Sequence, residues 1–146
     1  MISQTAEYAL RAMAHLASNP DDPQTAQQIA AVTLVPLHYL SKVLQALSRA
    51  GLIHSQRGLH GGFKLLKEPE NLSVYDIVNA VDPLQRIQEC PLGLKAHGSN
   101  LCPLHKRLDE AMCQVEKSFR DSNLAELLAE PSTSRPLCPF PVPEIA

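Results

Sequence analysis

The sequence has no tryptophan and, in 146 residues, only three phenylalanines and three tyrosines. A core short of large rings must be assembled from Leu, Ile, Val and Ala, a balance that favours helices. No apolar run approaches the roughly 20 residues that cross a bilayer, so no membrane partner is expected. Met1-Ile2-Ser3-Gln4 lacks the basic and apolar regions of a secretory signal, which makes a cytoplasmic location the expectation. In that compartment the four cysteines point to thiols, metal ligands or redox sensors rather than to a disulfide framework. A glycine-rich phosphate loop, a His-Glu-x-x-His pair and a nucleophile elbow are all missing, so an enzyme is not expected. The length suits one compact domain with an appended element.

A local absence is the most informative one. Between Pro36 and Lys67 there is no Asp or Glu, while Lys42, Arg49, Arg57, Lys64 and Lys67 carry positive charge and His38, His54 and His60 stand among them. Acidic residues gather at Asp21 and Asp22, at Glu68 and Glu70, and beyond Asp109, so the net charge of -2 conceals the basic segment. Such a segment fits a phosphate-binding face. A merely solvated basic surface is the plainer alternative.

The apolar spacing predicts a first helix over Thr5 to Ala17, with Ala6, Ala9, Leu10, Met13, Leu16 and Ala17 on its face. Asn19 to Pro23 is a turn with two prolines. Thr25, with Gln28 three residues on, is a capping-box start for a short helix over Ala26 to Val32. After Leu34-Val35-Pro36, a third helix is predicted from Leu37 to Ala50, closed by Gly51. Short helix, brief turn, longer helix is the helix-turn-helix order. Leu52 to Gln56 and Phe63 to Leu66 read as strands around the glycine-rich Arg57-Gly58-Leu59-His60-Gly61-Gly62, a basic hairpin of the kind called a wing. Ser73 caps a helix through Asp82, ended by Pro83. Residues 84 to 100 lack a period and read as an irregular loop. Asn100 starts the last long helix, with Pro103 in its first turn. Leu104, Leu108, Ala111, Met112, Val115 and Phe119 form a stripe to about Arg120 that needs a partner surface, most simply the same helix of a second chain. Asn123 to Ala129 adds a helical turn or two, and the proline-rich stretch from Pro131 reads as an extended or disordered tail. The expected class is mainly α: a winged helix-turn-helix domain (1–83) with a two-stranded wing, a sensor loop (84–100), a long C-terminal dimerisation helix (101–129) and a tail (130–146).

On the third helix, His38, Ser41, Lys42 and Gln45 lie opposite the Leu40, Val43, Leu44 and Leu47 stripe. Gln45 can bond adenine in bidentate fashion, Ser41 several bases, and Lys42 a guanine edge or a phosphate. Tyr39 packs inward or meets the backbone. Thr25 and Gln27, opening the second helix, suit phosphates. Arg57 and His60 on the wing suit the minor groove. The alternative is that all these are solvated faces of a small helical domain.

Glu7-Tyr8-Ala9-Leu10-Arg11-Ala12, Leu40 to Leu47, Ala50-Gly51-Leu52-Ile53 and the wing Arg57 to Leu65 together resemble the Rrf2 family of bacterial regulators, the IscR, NsrR and CymR type. The likeness spans residues 1 to about 120, and the wing is its most specific part. It implies a homodimer on a palindromic double-stranded DNA operator. It also implies, for many members, an iron–sulfur cluster in the loop before the dimerisation helix, while others carry none and answer to a protein partner or small molecule.

Cluster-bearing members place three cysteines in that loop. Cys90 and Cys102, twelve positions apart, match the outer pair, but Ala96 stands at the middle position with His97 beside it. Cys102-Pro103-Leu104-His105 matches a Cys-x-x-His ending in which the His is a ligand. Cys90, His97, Cys102 and His105 could supply four ligands to a 2Fe-2S cluster, since imidazole can replace thiolate. In some relatives an N-terminal carboxylate from the other subunit completes the set, and Glu7 stands there. The same atoms could hold zinc, or nothing, the loop then being a remnant. Glu7 could equally serve only the dipole of its helix. Cys113 reads as a buried thiol of the dimerisation helix and Cys138 as incidental. The operator, its genes, the sign of regulation and the signal are not written in these residues.

Overall fold

The structure is a computed structural model that describes residues 2–97 and 100–131, with His97 through its backbone alone. Cys138 and the proline-rich tail from residue 132 lie outside the described residues. In chain order come α1 (Gln4–Ala17), α2 (Ala26–Thr33), α3 (Leu37–Arg49), β1 (Ile53–Gln56), β2 (Gly62–Leu65), α4 (Val74–Val81), α5 (Pro103–Asp121) and α6 (Leu124–Ala129), with 3-10 turns at Pro69–Asn71 and Lys95–His97. The chain is mainly helical with one antiparallel two-stranded sheet, as its composition predicts.

Helix α1 is the centre of the head. Ser3 caps it by accepting the Ala6 N–H at 3.2 Å. Ala6, Ala9 and Ala12 are fully buried, and these small side chains let α1 pack closely against α2, α3 and α4. Met13 and Leu16 fill the space between them, with Ile29 from α2, Leu40, Val43, Leu44 and Leu47 from α3, Leu52, Ile53 and Ile77. Each large aliphatic side chain removed from water this way contributes on the order of 1.5–3 kcal/mol.

The reciprocal Thr25–Gln28 box starts α2. Helix α3 follows after a turn in which Leu34 takes the left-handed conformation, φ 56°, and the two helices are bent by 115°. That angle lies in the roughly 90–120° range of helix-turn-helix pairs. No single described helix is long and apolar enough to cross a membrane.

Strands β1 and β2 pair from Ile53↔Leu65 to Gln56↔Gly62. One isolated bridge adds to the sheet from outside. Gln24 pairs with Phe63 through two backbone bonds of 3.1 and 2.7 Å, so the segment before α2 touches the outer edge of the wing at that residue. The Gln24 side chain is buried, lying 3.3 Å from His15 Nε2 and donating to the Asp22 carboxylate at 2.9 Å. The wing base is thereby tied to α1.

At the C-terminal end, α5 begins at Pro103 with Cys102 as its cap residue, two residues later than Asn100. Proline at the first helical position lacks the N–H that would go unpaired there. No residue of α5 is buried in a single chain, whereas α6 returns to the head. Leu124 is buried in the core, its N–H donates to Leu72 at 2.8 Å, and the Val74 N–H donates to Ser122 at 2.9 Å. Residues 124–129 thus pack with the head, although the sequence groups them with the long helix.

Candidate nucleic-acid interface

Helix α3 divides its side chains as its apolar spacing predicts. Leu40, Val43, Leu44 and Leu47 are buried, while His38, Tyr39, Ser41, Lys42 and Gln45 are exposed. Ser41 donates its hydroxyl hydrogen to the Leu37 carbonyl at 2.9 Å, which leaves its lone pairs free to accept. Tyr39 does not pack inward. It is about half exposed, with its ring 4.3 Å from that of His38 and 6.3 Å from that of Tyr8. No acidic side chain hydrogen-bonds or ion-pairs with Lys42, Arg49, Arg57, Lys64 or Lys67 among the described residues. Thr25 is committed to the α2 cap, where its Oγ1 accepts the Gln28 N–H at 3.2 Å. Gln27 beside it is exposed.

Arg57 and His60 both stand exposed at the wing. Leu59 between them, for which the sequence pattern assigns no role, is 96% exposed. Hairpin tips are commonly polar, and an apolar side chain at this one was the signal available.

The sensor loop is only partly assembled. Cys102 Sγ lies 3.3 Å from His105 Nδ1, because positions three apart at a helix start share a face. Cys90 is half-buried in a turn closed by its carbonyl and the Gly93 N–H. Among the described residues no three His, Cys, Asp or Glu side chains form a group able to hold a metal. Glu7 is instead paired with Arg11, at 3.1 Å to its Nε. The side chain of His97 lies outside the described residues. One chain therefore offers a ligand pair, Cys102 and His105, and its described residues do not fit a four-ligand cluster. Cys113 is exposed in the single chain, like the rest of α5, none of whose residues is buried.

A polar network joins the start of the loop to α5. Arg86 donates to both oxygens of Asp109 at 2.7 and 2.8 Å and reaches Glu116 at 3.4 Å. The Ile87 N–H adds a bond to Asp109 at 2.9 Å. The guanidinium bonds, and then the backbone donor, hold the Asp109 carboxyl down at about 2. Glu116 is also lowered, first by its bond to Arg120 and then by Arg86. Arg120 lies over the Tyr75 ring at 3.5 Å, which links α5 to α4.

Beside this network α5 presents Leu104, Leu108 and Val115 to water, 62%, 48% and 38% exposed. An apolar groove of about 440 Å³ lies where the far end of α5 meets α1 and α6, between Leu10, Ala14, Phe119, Leu127 and Leu128.

Comparisons with known proteins agree with this architecture. The family profile described as Rrf2, iron-dependent transcriptional regulator, matches residues 2–130. A provisionally named HTH-type transcriptional regulator of Aquifex aeolicus is 31% identical over 131 residues, covering 88% of this chain and 91% of that relative. CymR of B. subtilis, described as its global cysteine regulator, superposes with a TM-score of 0.74 at 23% identity, over 90% of this chain and 98% of its own. T. potens IscR gives a TM-score of 0.72 at 23% identity, over 92% and 93%.

Proposed function

The chain belongs to the Rrf2 family of DNA-binding transcriptional regulators, a regulator and not an enzyme, and from that premise we propose that it acts as a homodimer. Its α3 lies in the major groove of a palindromic operator and its wing in the adjacent minor groove. The observation that carries this reading is the exposed row His38, Ser41, Lys42 and Gln45 on a helix whose opposite face is buried. It lies in a stretch without one carboxylate, from Pro36 to Lys67. In this reading Gln45 and Ser41 read base edges, and Lys42 and His38 support them. Tyr39, Thr25 and Gln27 hold the phosphate backbone, and Arg57 and His60 hold the minor groove.

The test is selection of duplexes from a randomised pool by the full chain, followed by binding of variants to the winning duplex. Gln45→Ala should cost about 1–3 kcal/mol and relax preference at one position per half-site. Lys42→Ala should weaken binding to all duplexes alike and lower the salt slope by roughly one per subunit. Wild-type affinity in both variants would remove α3 from the groove.

A second reading concerns the signal, and rests on the Cys102–His105 contact. In this reading that pair is half of a ligand set for a 2Fe-2S cluster or zinc, completed by Cys90 and His97 of the same loop or by Glu7 from a second chain, and DNA binding is gated by its occupancy. The rival is a cofactor-free regulator controlled by a protein partner or small molecule. Anaerobic purification with iron, sulfide and zinc analysis separates them. Stoichiometric metal that is lost in Cys102→Ala supports gating. Metal-free wild-type protein that binds its duplex tightly supports the rival.

A further inference from the structure

The wing carries an apolar side chain that neither the core nor the basic contacts explain. Leu59 is 96% exposed, more than any other large apolar residue among those described. A lone exposed leucine is ordinary on a flat surface. Leu59 sits instead at the tip of a hairpin, between Arg57 and His60, where turn chemistry favours Asn, Asp, Gly or Ser.

Its support is a hydrogen-bonded turn. The Gly61 N–H donates to the Gly58 carbonyl at 3.0 Å, closing the turn around Leu59 and His60. Gly58 has φ +112°, and a Cβ on Gly61 would stand 2.4 Å from the Gln56 carbonyl oxygen, so the turn is held in a shape that side chains at those two positions would break. Below it, Phe63 of β2 is bridged on its outer edge by Gln24, whose side chain is buried beside His15. An apolar tip flanked by cationic or polar neighbours on a bonded hairpin has the form of the apolar wedges that minor-groove proteins insert.

We propose that Leu59 enters the minor groove beside the Arg57 contact and packs against the sugar faces and the edge of one base step. Each half-site then favours a readily unstacked pyrimidine–purine step at that point. The inference rests on the reading of the hairpin as a DNA-contacting wing.

The experiment uses the full chain and the duplex it selects from a randomised pool, with affinity measured by fluorescence anisotropy across a salt series. Leu59 buries nothing in the fold, so Leu59→Ala should keep the wild-type circular dichroism and melting temperature. It should bind roughly tenfold more weakly per subunit, the loss expected for removing most of a leucine side chain from a buried contact, with an unchanged salt slope. Leu59→Met should retain affinity. Arg57→Ala should weaken binding and also lower the salt slope by about one per subunit. Replacing the wing-proximal step by a G·C step should abolish the difference between wild type and Leu59→Ala. Wild-type affinity in Leu59→Ala with weakened Arg57→Ala would overturn the wedge and leave the wing on DNA, with Leu59 given to a protein partner. Wild-type affinity in both would overturn the wing reading and the wedge with it.

Discussion

At Gly62 one missing methyl group decides how the head closes. A Cβ there would stand 2.6–2.7 Å from three backbone atoms of Gln24, and φ is +154°. Backbone cannot yield as a flexible side chain can. Gly62→Ala should therefore part Gln24 from Phe63 and destabilise the protein by about 1–3 kcal/mol, read as a lower urea midpoint at unchanged slope. A wild-type midpoint would mean that the Gln24 bridge contributes nothing. Its neighbour across the wing was less legible. The pattern around Leu59 shows a glycine-rich loop and two contacts, Arg57 and His60, but nothing about which side chain stands furthest from the body. Likewise Tyr39 left two orientations open in the sequence, and only the placement of Tyr8 and His38 around it settles that it stays outside.

Among the elements, helices with local start signals were legible and the loop before α5 was not. Thr25 with Gln28 and Ser73 with Asp76 form the reciprocal caps their spacing predicts, and Asn123 with Glu126 forms a third, because a capping box involves residues three apart and needs no tertiary partner. Arg86 and Asp109 are 23 positions apart, and no local rule joins them. Their pairing carries a testable pH dependence. Asp109 sits at about 2, below the usual aspartate value of about 3.9. The folded value is the depressed one, so its contribution is complete above about pH 4 and is lost as pH falls through about 2. Arg86 and Asp109 are partly exposed, so water and salt screen the pair and the effect is local. The Ile87 amide resonance, which reports a 2.9 Å bond to Asp109, should titrate with a midpoint near 2, and Arg86→Ala should move that midpoint up. A midpoint unaltered by Arg86→Ala would dissolve the network.

For the molecule as a whole, the question is what covers α5. Its 19 residues include none that is buried, yet Leu104, Leu108 and Val115 share an apolar face. A second copy would bury that face and set two α3 helices on one operator. Leu108→Asp should then shift the protein to monomer in sedimentation and weaken binding to the two-half-site duplex far more than to a single half-site. A persistent dimer would place the interface elsewhere. The amino-acid sequence by itself determined the helix-turn-helix and wing order, the split between buried and exposed faces of α3, and the capped starts of α2 and α4. These follow from periodicity, turn residues and short-range hydrogen bonds, which act within a few positions. Only the tertiary structure decided that Gln24 edges the wing, that α6 returns to the core through Leu124 and that Arg86 grips α5. Each of those depends on segments distant in sequence being brought together by burial of the common core, a non-directional force whose outcome no local pattern records.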